Sequence, residues 1–383
     1  MKILSVFGTR PEAIKLAPVI LALQSTPGIE HVTCVSGQHR EMLDQVLHLF
    51  DLQPKYDLNV MRPGQSLTYI TQTVLGGVGD VIEREEPDWL LVQGDTTTAF
   101  AAALAAFYAR VRVGHVEAGL RTQNRLSPWP EEINRRLISP LADLHFAPTE
   151  QAARNLSLES VPAHSIHVTG NTVIDALHWT AKSAKGDAAL DAWLKERAPA
   201  LLGDLRPLIL VTLHRRENQG ERLRDICAGL RTVANRGDTC IAFPVHMNPA
   251  VRDVVAAELG CTESVYLLPP LDYLPFVALL KRSNFVVTDS GGIQEEAPGL
   301  GKPVLVARDT TERPEALTAG TALLVGTAGE TIARECNRLL DDSEHFGRMA
   351  SAINPFGDGH AAMRIVEHLL GDSARRAQSL APL

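Results

Sequence analysis

Val286–Leu317 reads VVTDSGGIQEEAPGLGKPVLVARDTTERPEAL. An apolar, β-branched run stops at Asp289. Ser290-Gly291-Gly292 then makes a turn, and a helical segment carrying Glu295 and Glu296 follows. A second apolar run, Pro303–Val306, leads into another strand-to-helix turn with Pro314 at its first helical turn. Strand, turn, helix and strand in this order predict parallel strands covered by helices on both faces, the α/β class. The same order builds an anion site, because glycines admit a close ligand and the first N–H groups of a helix are unpaired. A carboxylate just inside that helix suits ribose hydroxyls, so the stretch reads as a nucleotide clamp. A plain βα connection with solvated acids in its first turn fits the stretch as well.

Outward from this stretch, short β-rich runs alternate with helical ones along the chain. Lys2–Phe7, His31–Ser36, Trp89–Gln93, Val111–Val116 and Leu144–Ala147 read as strands of one sheet. Pro207–Leu213, Thr239–Val245, Val265–Leu268, Phe285–Thr288 and Pro303–Val306 read as strands of a second. Helical runs such as Thr97–Arg110 and Glu221–Asn235 lie between them. Two doubly wound, Rossmann-like domains are expected. Ala181–Arg206, mixing Lys, Asp, Ala, Gly and Pro, is the expected linker; its start reads as part of a helix, and the hinge is expected between Gly170 and Arg206. Gly359–Gly371 has the pattern of an amphipathic helix, and the tail Asp372–Leu383 is expected to fray.

The 383 residues suffice for two ordinary domains. A formal net charge of −8 argues against general nucleic-acid binding, which needs a basic field. Five scattered cysteines without a CxxC pair argue against a disulfide framework or a structural zinc site. The N-terminal run is too short and too soon charged for a signal peptide, and no apolar run approaches a membrane span. A soluble cytoplasmic protein is expected.

Ligands of open α/β sheets gather beyond the carboxyl ends of the strands, and there the polar residues concentrate. Gly8-Thr9-Arg10-Pro11-Glu12, with Lys15 one turn on, sets two cations beside a glycine turn and suits a diphosphate; a charged helix cap is the plain alternative. Asp95, Glu117 and Glu131 are the candidate acids. Proton transfer at carbon needs a carboxylate held near the reacting hydrogen, often tuned by burial or a like charge. Each also has a simpler reading: Asp95 as a cap, Glu131 as a solvated first turn. His214, beside Arg215 and Arg216, needs an anionic partner, and a leaving phosphate would supply one; a histidine in a basic surface loop is the alternative. Arg313 could add positive charge opposite Ser290–Gly292, and His39 and His246 are further pocket candidates. No GxxxxGK[ST] loop, no GxGxxG after a strand and no HExxH spacing occur, and Gly76-Gly77-Val78-Gly79 falls inside a helical run.

These segments together resemble the non-hydrolysing UDP-N-acetylglucosamine 2-epimerases. The matching strings include FGTRPEAIKLAPVI (Phe7–Ile20), QGDTTTAFAAALAAFY (Gln93–Tyr108), VGHVEAGLRT (Val113–Thr122), SPWPEEINRRL (Ser127–Leu137), VTGNTVIDAL (Val168–Leu177), LHRREN (Leu213–Asn218), PVHMNP (Pro244–Pro249) and TDSGGIQEEAPGLGKPVL (Thr288–Leu305). They stand in family order from the first strand to about Leu317. The resemblance implies the GT-B architecture, two Rossmann-like domains facing across a cleft: 1–175 with a returning helix in 359–383, and a UDP-binding domain over 176–358. It implies reversible C2 epimerisation of UDP-N-acetylglucosamine (UDP-GlcNAc) to UDP-ManNAc, by elimination of UDP to a 2-acetamidoglucal and re-addition, supplying ManNAc-type sugars for surface polysaccharide. It implies no redox cofactor and no metal.

Carried over residue by residue, the resemblance puts acid–base work on Asp95, Glu117 and Glu131, and the leaving-group histidine at His214. It puts UDP contacts at Arg10, Ser290, Gly291, Gly292, Glu296 and Arg313, with Lys15 nearby and Phe276 beside the uracil. It also implies a homodimer, and a second, activating UDP-GlcNAc held by Gln38, His39, Gln65, Arg215 and His246. Leu271 and Leu213 depart from the family pattern and bear on the base and the pocket. Other readings are an epimerase for a 3-acetamido or uronic-acid UDP-sugar, a hydrolysing 2-epimerase, a GT-B glycosyltransferase with a separate acceptor, and a nucleotide-sugar sensor without chemistry.

Overall fold

The computed structural model describes residues 1–38 and 40–380, with residue 41 and the stretch from 374 described for the backbone alone. The chain forms two compact units. One is Met1–Ala176 together with the chain from Phe356 onward, and the other is Leu177–Pro355.

In the first unit the order is β1 (Lys2–Phe7), α1 (Arg10–Ser25), β2 (Glu30–Val35), α2 (Arg40–Leu49), β3 (Tyr56–Asp57), α3 (Leu67–Glu85), β4 (Trp89–Gln93), α4 (Thr97–Tyr108), β5 (Arg112–Val116), α5 (Glu131–Ile138), β6 (Leu144–Ala147), α6 (Glu150–Leu158), β7 (Ile166–Val168) and α7 (Thr172–Lys182). The seven strands pair in parallel in the order β3-β2-β1-β4-β5-β6-β7. β4, WLLVQ, is buried along its whole length, as a parallel strand covered on both faces must be. The Ala-rich α4 is capped by Thr96, whose hydroxyl accepts from Ala99 N at 3.0 Å, and it buries Ala99, Ala102, Ala103 and Ala106 against α3 and the sheet. Small side chains let that helix lie close to its neighbours.

The second unit runs α8 (Ala184–Arg197), α9 (Pro199–Leu202), β8 (Leu208–Thr212), α10 (Glu221–Ala234), β9 (Cys240–Pro244), α11 (Pro249–Leu259), β10 (Val265–Leu268), α12 (Tyr273–Arg282), β11 (Phe285–Thr288), α13 (Gly291–Gly299), β12 (Val304–Val306), α14 (Pro314–Ala319), β13 (Ala322–Leu324), α15 (Gly329–Asp341) and α16 (Ser343–Ala350). Its six parallel strands stand in the order β10-β9-β8-β11-β12-β13. α17 (Ala361–Leu380) then packs against α1 of the first unit. Its start is held by Asp175, whose carboxylate accepts from Ala361 N at 3.2 Å and Ala362 N at 2.8 Å. Both units are therefore doubly wound α/β domains, as expected.

Two sequence expectations are corrected. The stretch expected as a linker, Ala181–Arg206, is largely helical: Leu190 and Leu194, one helical turn apart, are buried, α8 packs on α12, and Asp187 pairs with Lys281 at 2.9 Å. The division between the units falls inside α7, between Ala176 and Leu177, within the Gly170–Arg206 span where the hinge is expected. The tail expected to fray from Asp372 continues as helix to Leu380. Asp372 pairs with Arg112 at 2.7 Å and Ser373 accepts from Trp89 Nε1 at 3.3 Å, while the Arg112 guanidinium lies over the Trp89 ring. The strands β3, β7 and β13 went unforeseen because two or three residues carry no period to read.

Candidate active site

Each sheet has one point where the strand order turns back on itself, between β1 and β4 in the first unit and between β8 and β11 in the second. Arg10, Asp95, His214 and Ser290–Gly292 follow these strands, whereas Glu117 follows β5, Glu131 opens α5, His246 follows β9, Phe276 lies on α12 and Arg313 precedes α14.

In the first unit, Gly8 and Thr9 leave β1 beside Gly94, Asp95 and Thr96, which leave β4. A Cβ on Gly8 would stand 1.9 Å from Ser36 Oγ and 2.8 Å from Thr98 Oγ1, so only glycine fits. Glu12 ties the two turns together. Its buried carboxylate accepts from Gly8 N at 3.0 Å, Thr9 N at 2.8 Å and Thr9 Oγ1 at 2.8 Å, and from Thr96 Oγ1 at 2.7 Å. Burial pushes this carboxyl above the usual glutamate range against the pull of those four donors. Sequence reading passed over Glu12 as part of a helix cap, although Thr9–Glu12 has the spacing of a capping box.

Asp95 forms an ion pair with Arg135, and Asn134 Nδ2 donates to its backbone carbonyl at 2.9 Å. Burial raises the Asp95 carboxyl; the Arg135 charge opposes the rise, the Glu117 charge adds to it, and the net displacement is upward. Glu117 sits at a left-handed φ of 64° and is gripped by three donors: Lys15 Nζ at 2.5 Å, Gln93 Nε2 at 2.5 Å and Asn171 Nδ2 at 3.1 Å. Lys15, expected to serve a diphosphate, is thus an ion-pair partner of an acid. Arg10 opens α1, partly buried. His115, fully buried in β5, is pushed down to about 3 by desolvation and so is neutral; its Nε2–H donates to Gly94 O at 2.7 Å and steadies the turn that carries Asp95. Nothing in the sequence marked His115 apart from any other strand residue.

Glu131 stands half-buried at the first position of α5. Its neighbour Glu132 is fully buried and anchors the preceding loop, accepting from Thr122 N at 3.0 Å and Gln123 N at 3.3 Å. Gln38 accepts from Thr98 Oγ1 at 3.0 Å through its side chain and from Gln65 Nε2 at 3.3 Å through its carbonyl. His39 lies outside the described residues.

In the second unit, Ser290 is the N-cap of α13, with Gly291 and Gly292 as its first two residues. Neither glycine has a positive φ. Cβ atoms there would come no closer than 3.6 Å to Arg215 Nη2 and 3.5 Å to Glu296 Oε1, so the glycines leave open space at the start of α13, while Ser290 N donates to Thr288 Oγ1 at 2.9 Å. Glu295 and Glu296 divide their work. Glu295 is buried and pairs with Arg313, while Glu296 stays partly exposed on the helix. Arg313, expected to add positive charge opposite the Ser290–Gly292 turn, is paired with Glu295. Phe276 is half-buried on α12. Leu213, expected to reshape the pocket, points into the core at 2% exposure.

His214 follows β8, and its Nδ1 lies 3.3 Å from Oδ1 of Asp289, which ends β11. The Asp289 carboxylate is wholly buried and also accepts from His214 N at 3.0 Å, Arg215 N at 2.9 Å and Asn218 Nδ2 at 3.0 Å. Burial alone would raise it, but these donors, His214 foremost, hold it below the usual aspartate range. The sequence reading took Asp289 only as the end of a strand. His246 is exposed, its ring 6.1 Å from that of His214 between centroids. Among the described residues, no three His, Cys, Asp or Glu side chains are grouped so as to hold a metal ion, and no helix is long and apolar enough to cross a membrane.

Comparison with known proteins places these loops in context. The family model described as UDP-N-acetylglucosamine 2-epimerase matches residues 21–370. The UDP-N-acetylglucosamine 2-epimerase of Salmonella typhimurium is 53% identical over 370 residues, 96% of this chain and 98% of that one. Among solved structures, UDP-GlcNAc 2-epimerase from Neisseria meningitidis bound to UDP-GlcNAc is 49% identical, with a TM-score of 0.83 over 97% of this chain and 100% of that one. The Methanocaldococcus jannaschii UDP-GlcNAc 2-epimerase, solved with UDP-GlcNAc and UDP, is 34% identical, with a TM-score of 0.76 over 97% of this chain and 100% of that one.

Proposed function

We propose the function of this chain from its kinship, for it belongs to the UDP-N-acetylglucosamine 2-epimerase family. It is an isomerase of the non-hydrolysing kind that inverts C2 and interconverts UDP-GlcNAc and UDP-ManNAc. The observation that carries this reading is the cluster at the first unit's switch point. There Asp95, its carboxyl displaced upward by burial, lies among Arg135, Lys15 and Glu117.

The C2 hydrogen of the sugar is not acidic by itself. It becomes removable as the anomeric C–O bond breaks and its electron pair leaves with the diphosphate. A carboxylate of the first unit takes the proton, and 2-acetamidoglucal and UDP result. UDP then adds back at C1, and a proton reaches C2 from the opposite face. Asp95, Glu117 and Glu131 share these proton transfers. Charge grows on the diphosphate in the transition state, so donors aimed at it accelerate the step. Those donors are the amides of Gly291 and Gly292 and the side chains of His214, Arg10 and, oriented by Glu295, Arg313; Ser290 adds its hydroxyl, Glu296 takes the ribose and Phe276 lies along the uracil.

Incubation with UDP-GlcNAc in deuterated water tests the reading. Deuterium at C2, with both UDP-sugars in the mixture, is the expected result. Absence of exchange rejects C2 chemistry, and free ManNAc with net release of UDP rejects the non-hydrolysing assignment.

The same reading makes the protein a cytoplasmic homodimer that supplies ManNAc-type sugar for surface polysaccharide. A second UDP-GlcNAc, held by Gln38, His39, Gln65, Arg215 and His246, acts as an activator. Light scattering that returns a monomer mass overturns the dimer. Hyperbolic turnover of UDP-ManNAc without added UDP-GlcNAc overturns the activator.

A further inference from the structure

Asp289 has more to do than end a strand. β8 and β11 are neighbours in register, Thr212 opposite Thr288, so His214 and Asp289 leave the sheet side by side. Of the donors around the Asp289 carboxylate, His214 N, Arg215 N and Asn218 Nδ2 shape the turn. The remaining one is the imidazole Nδ1 of His214. A carboxylate accepts and does not donate, so the ring nitrogen facing it carries the hydrogen. Nε2, across the ring, then points away from Asp289. In the neutral ring with its hydrogen on Nδ1, Nε2 is bare and offers nothing to a phosphate. Only the doubly protonated ring can give Nδ1–H to Asp289 and Nε2–H to a diphosphate at once.

We propose that Asp289 is the positioning residue of His214: it holds Nδ1–H and fixes the ring's orientation, so that Nε2 faces the departing diphosphate and is protonated together with its binding. The proposal rests on the epimerase reading for the identity of the leaving group. In the step itself the anomeric C–O bond breaks, its electron pair goes to the β-phosphate oxygen, the C2 proton goes to a carboxylate of the first unit, and Nε2–H hydrogen-bonds the new oxyanion. No oxidant or further reactant is needed.

Two measurements on the full-length protein test it. The first is nitrogen-15 NMR of labelled histidines, with His214 assigned by the signal lost in His214→Ala. In the wild type the neutral ring carries its hydrogen on Nδ1, and addition of UDP protonates Nε2 as well. In Asp289→Asn the neutral ring moves toward Nε2–H and UDP no longer protonates both nitrogens. A wild-type ring with Nδ1 bare overturns the proposal, and that reading needs no folded variant. The second is a double-mutant cycle on UDP affinity by calorimetry. Asp289→Asn weakens UDP roughly tenfold to a hundredfold, as expected for losing a hydrogen bond from a charged donor, and adds nothing in the His214→Ala background. A full loss in that background shows Asp289 shaping only the turn and sinks the proposal. Both readouts are independent of turnover, so failure of C2 exchange in the wild type counts against the epimerase reading and leaves the histidine–aspartate pairing to be judged by NMR.

Discussion

The two switch points share one strand order and differ in what stands at the strand ends. Between β1 and β4 of the first unit, carboxylates dominate: Glu12 locks the turns, Asp95 is pushed upward by burial, and Glu117 is held by Lys15, Gln93 and Asn171. Between β8 and β11 of the second unit the Asp289 carboxylate is buried beneath the loop, and around it stand a histidine, an arginine and the two glycines that open α13. The first arrangement suits moving protons and the second suits holding an anion. The contrast teaches that the doubly wound topology delivers loops to one place, while side chains a few residues beyond each strand decide the chemistry.

The contrast breaks most sharply at Asp95. Asp95→Asn removes a proton acceptor and leaves the anion site intact, so C2 deuterium exchange should fall by roughly a thousandfold. UDP affinity, by calorimetry, should stay within about threefold, well below the cost of a lost charged contact. A comparable loss of UDP binding would show that the division of labour is wrong. The pH profile sharpens the same point. Asp95 works as a base only when ionised, and its carboxyl is displaced upward. The acid limb of kcat/KM should therefore begin to fall at a pH above the ordinary aspartate range as the medium is acidified. A limb at the ordinary aspartate value would remove Asp95 from that role.

Next in size is Gly292→Val on the other side of the comparison. Its φ is not positive and an added Cβ meets only ordinary contacts, so the fold tolerates it. A branched side chain there fills the space over the α13 amides. UDP affinity should drop by roughly tenfold or more, with thermal unfolding little changed. Retained affinity would mean that the diphosphate does not sit on this turn.

The smallest effect lies at the amino end of the first sheet, where a carboxylate serves the fold alone. Glu85 accepts from Tyr56 Oη at 2.5 Å and pairs with Lys55 at 2.6 Å and Lys2 at 3.2 Å. The Lys55 and Tyr56 hydrogen bonds, against the cost of burial, hold it down at about 2. A depressed carboxyl stabilises above its unfolded value and loses that contribution as pH falls through its folded one. Glu85→Gln should therefore lower the unfolding midpoint at neutral pH, and the gap to wild type should close as pH falls from the ordinary glutamate range toward about 2. Activity per folded molecule should not change. A gap that persists at acid pH would assign the loss to packing rather than charge.

Much of this was legible beforehand. Continuous apolar runs such as WLLVQ and FVVT can only be doubly covered parallel strands, and glycine or proline punctuation set most element boundaries within a residue or two. α8 was misread because its composition resembles a linker; its buried Leu190 and Leu194 mean nothing until α12 is there to receive them. The helix beyond Asp372 depends on Arg112 and Trp89, more than two hundred residues earlier in the chain. At the sites, residue types at strand ends pointed to Asp95, Glu117 and His214. The partners Arg135, Gln93, Asn171, His115 and Asp289 did not announce themselves, because each acts through a contact the chain makes only on folding.

The sequence by itself determined the α/β class, the two sets of strands, the family and the residue types available for chemistry, because hydrophobic period, turn residues and motif order are local properties. Tertiary structure alone decided which polar and charged groups pair. Lys15 went to Glu117, Arg313 to Glu295 and the His214 ring to Asp289. Burial and distance set the strength of such pairs, and both exist only once distant strand ends have been brought side by side.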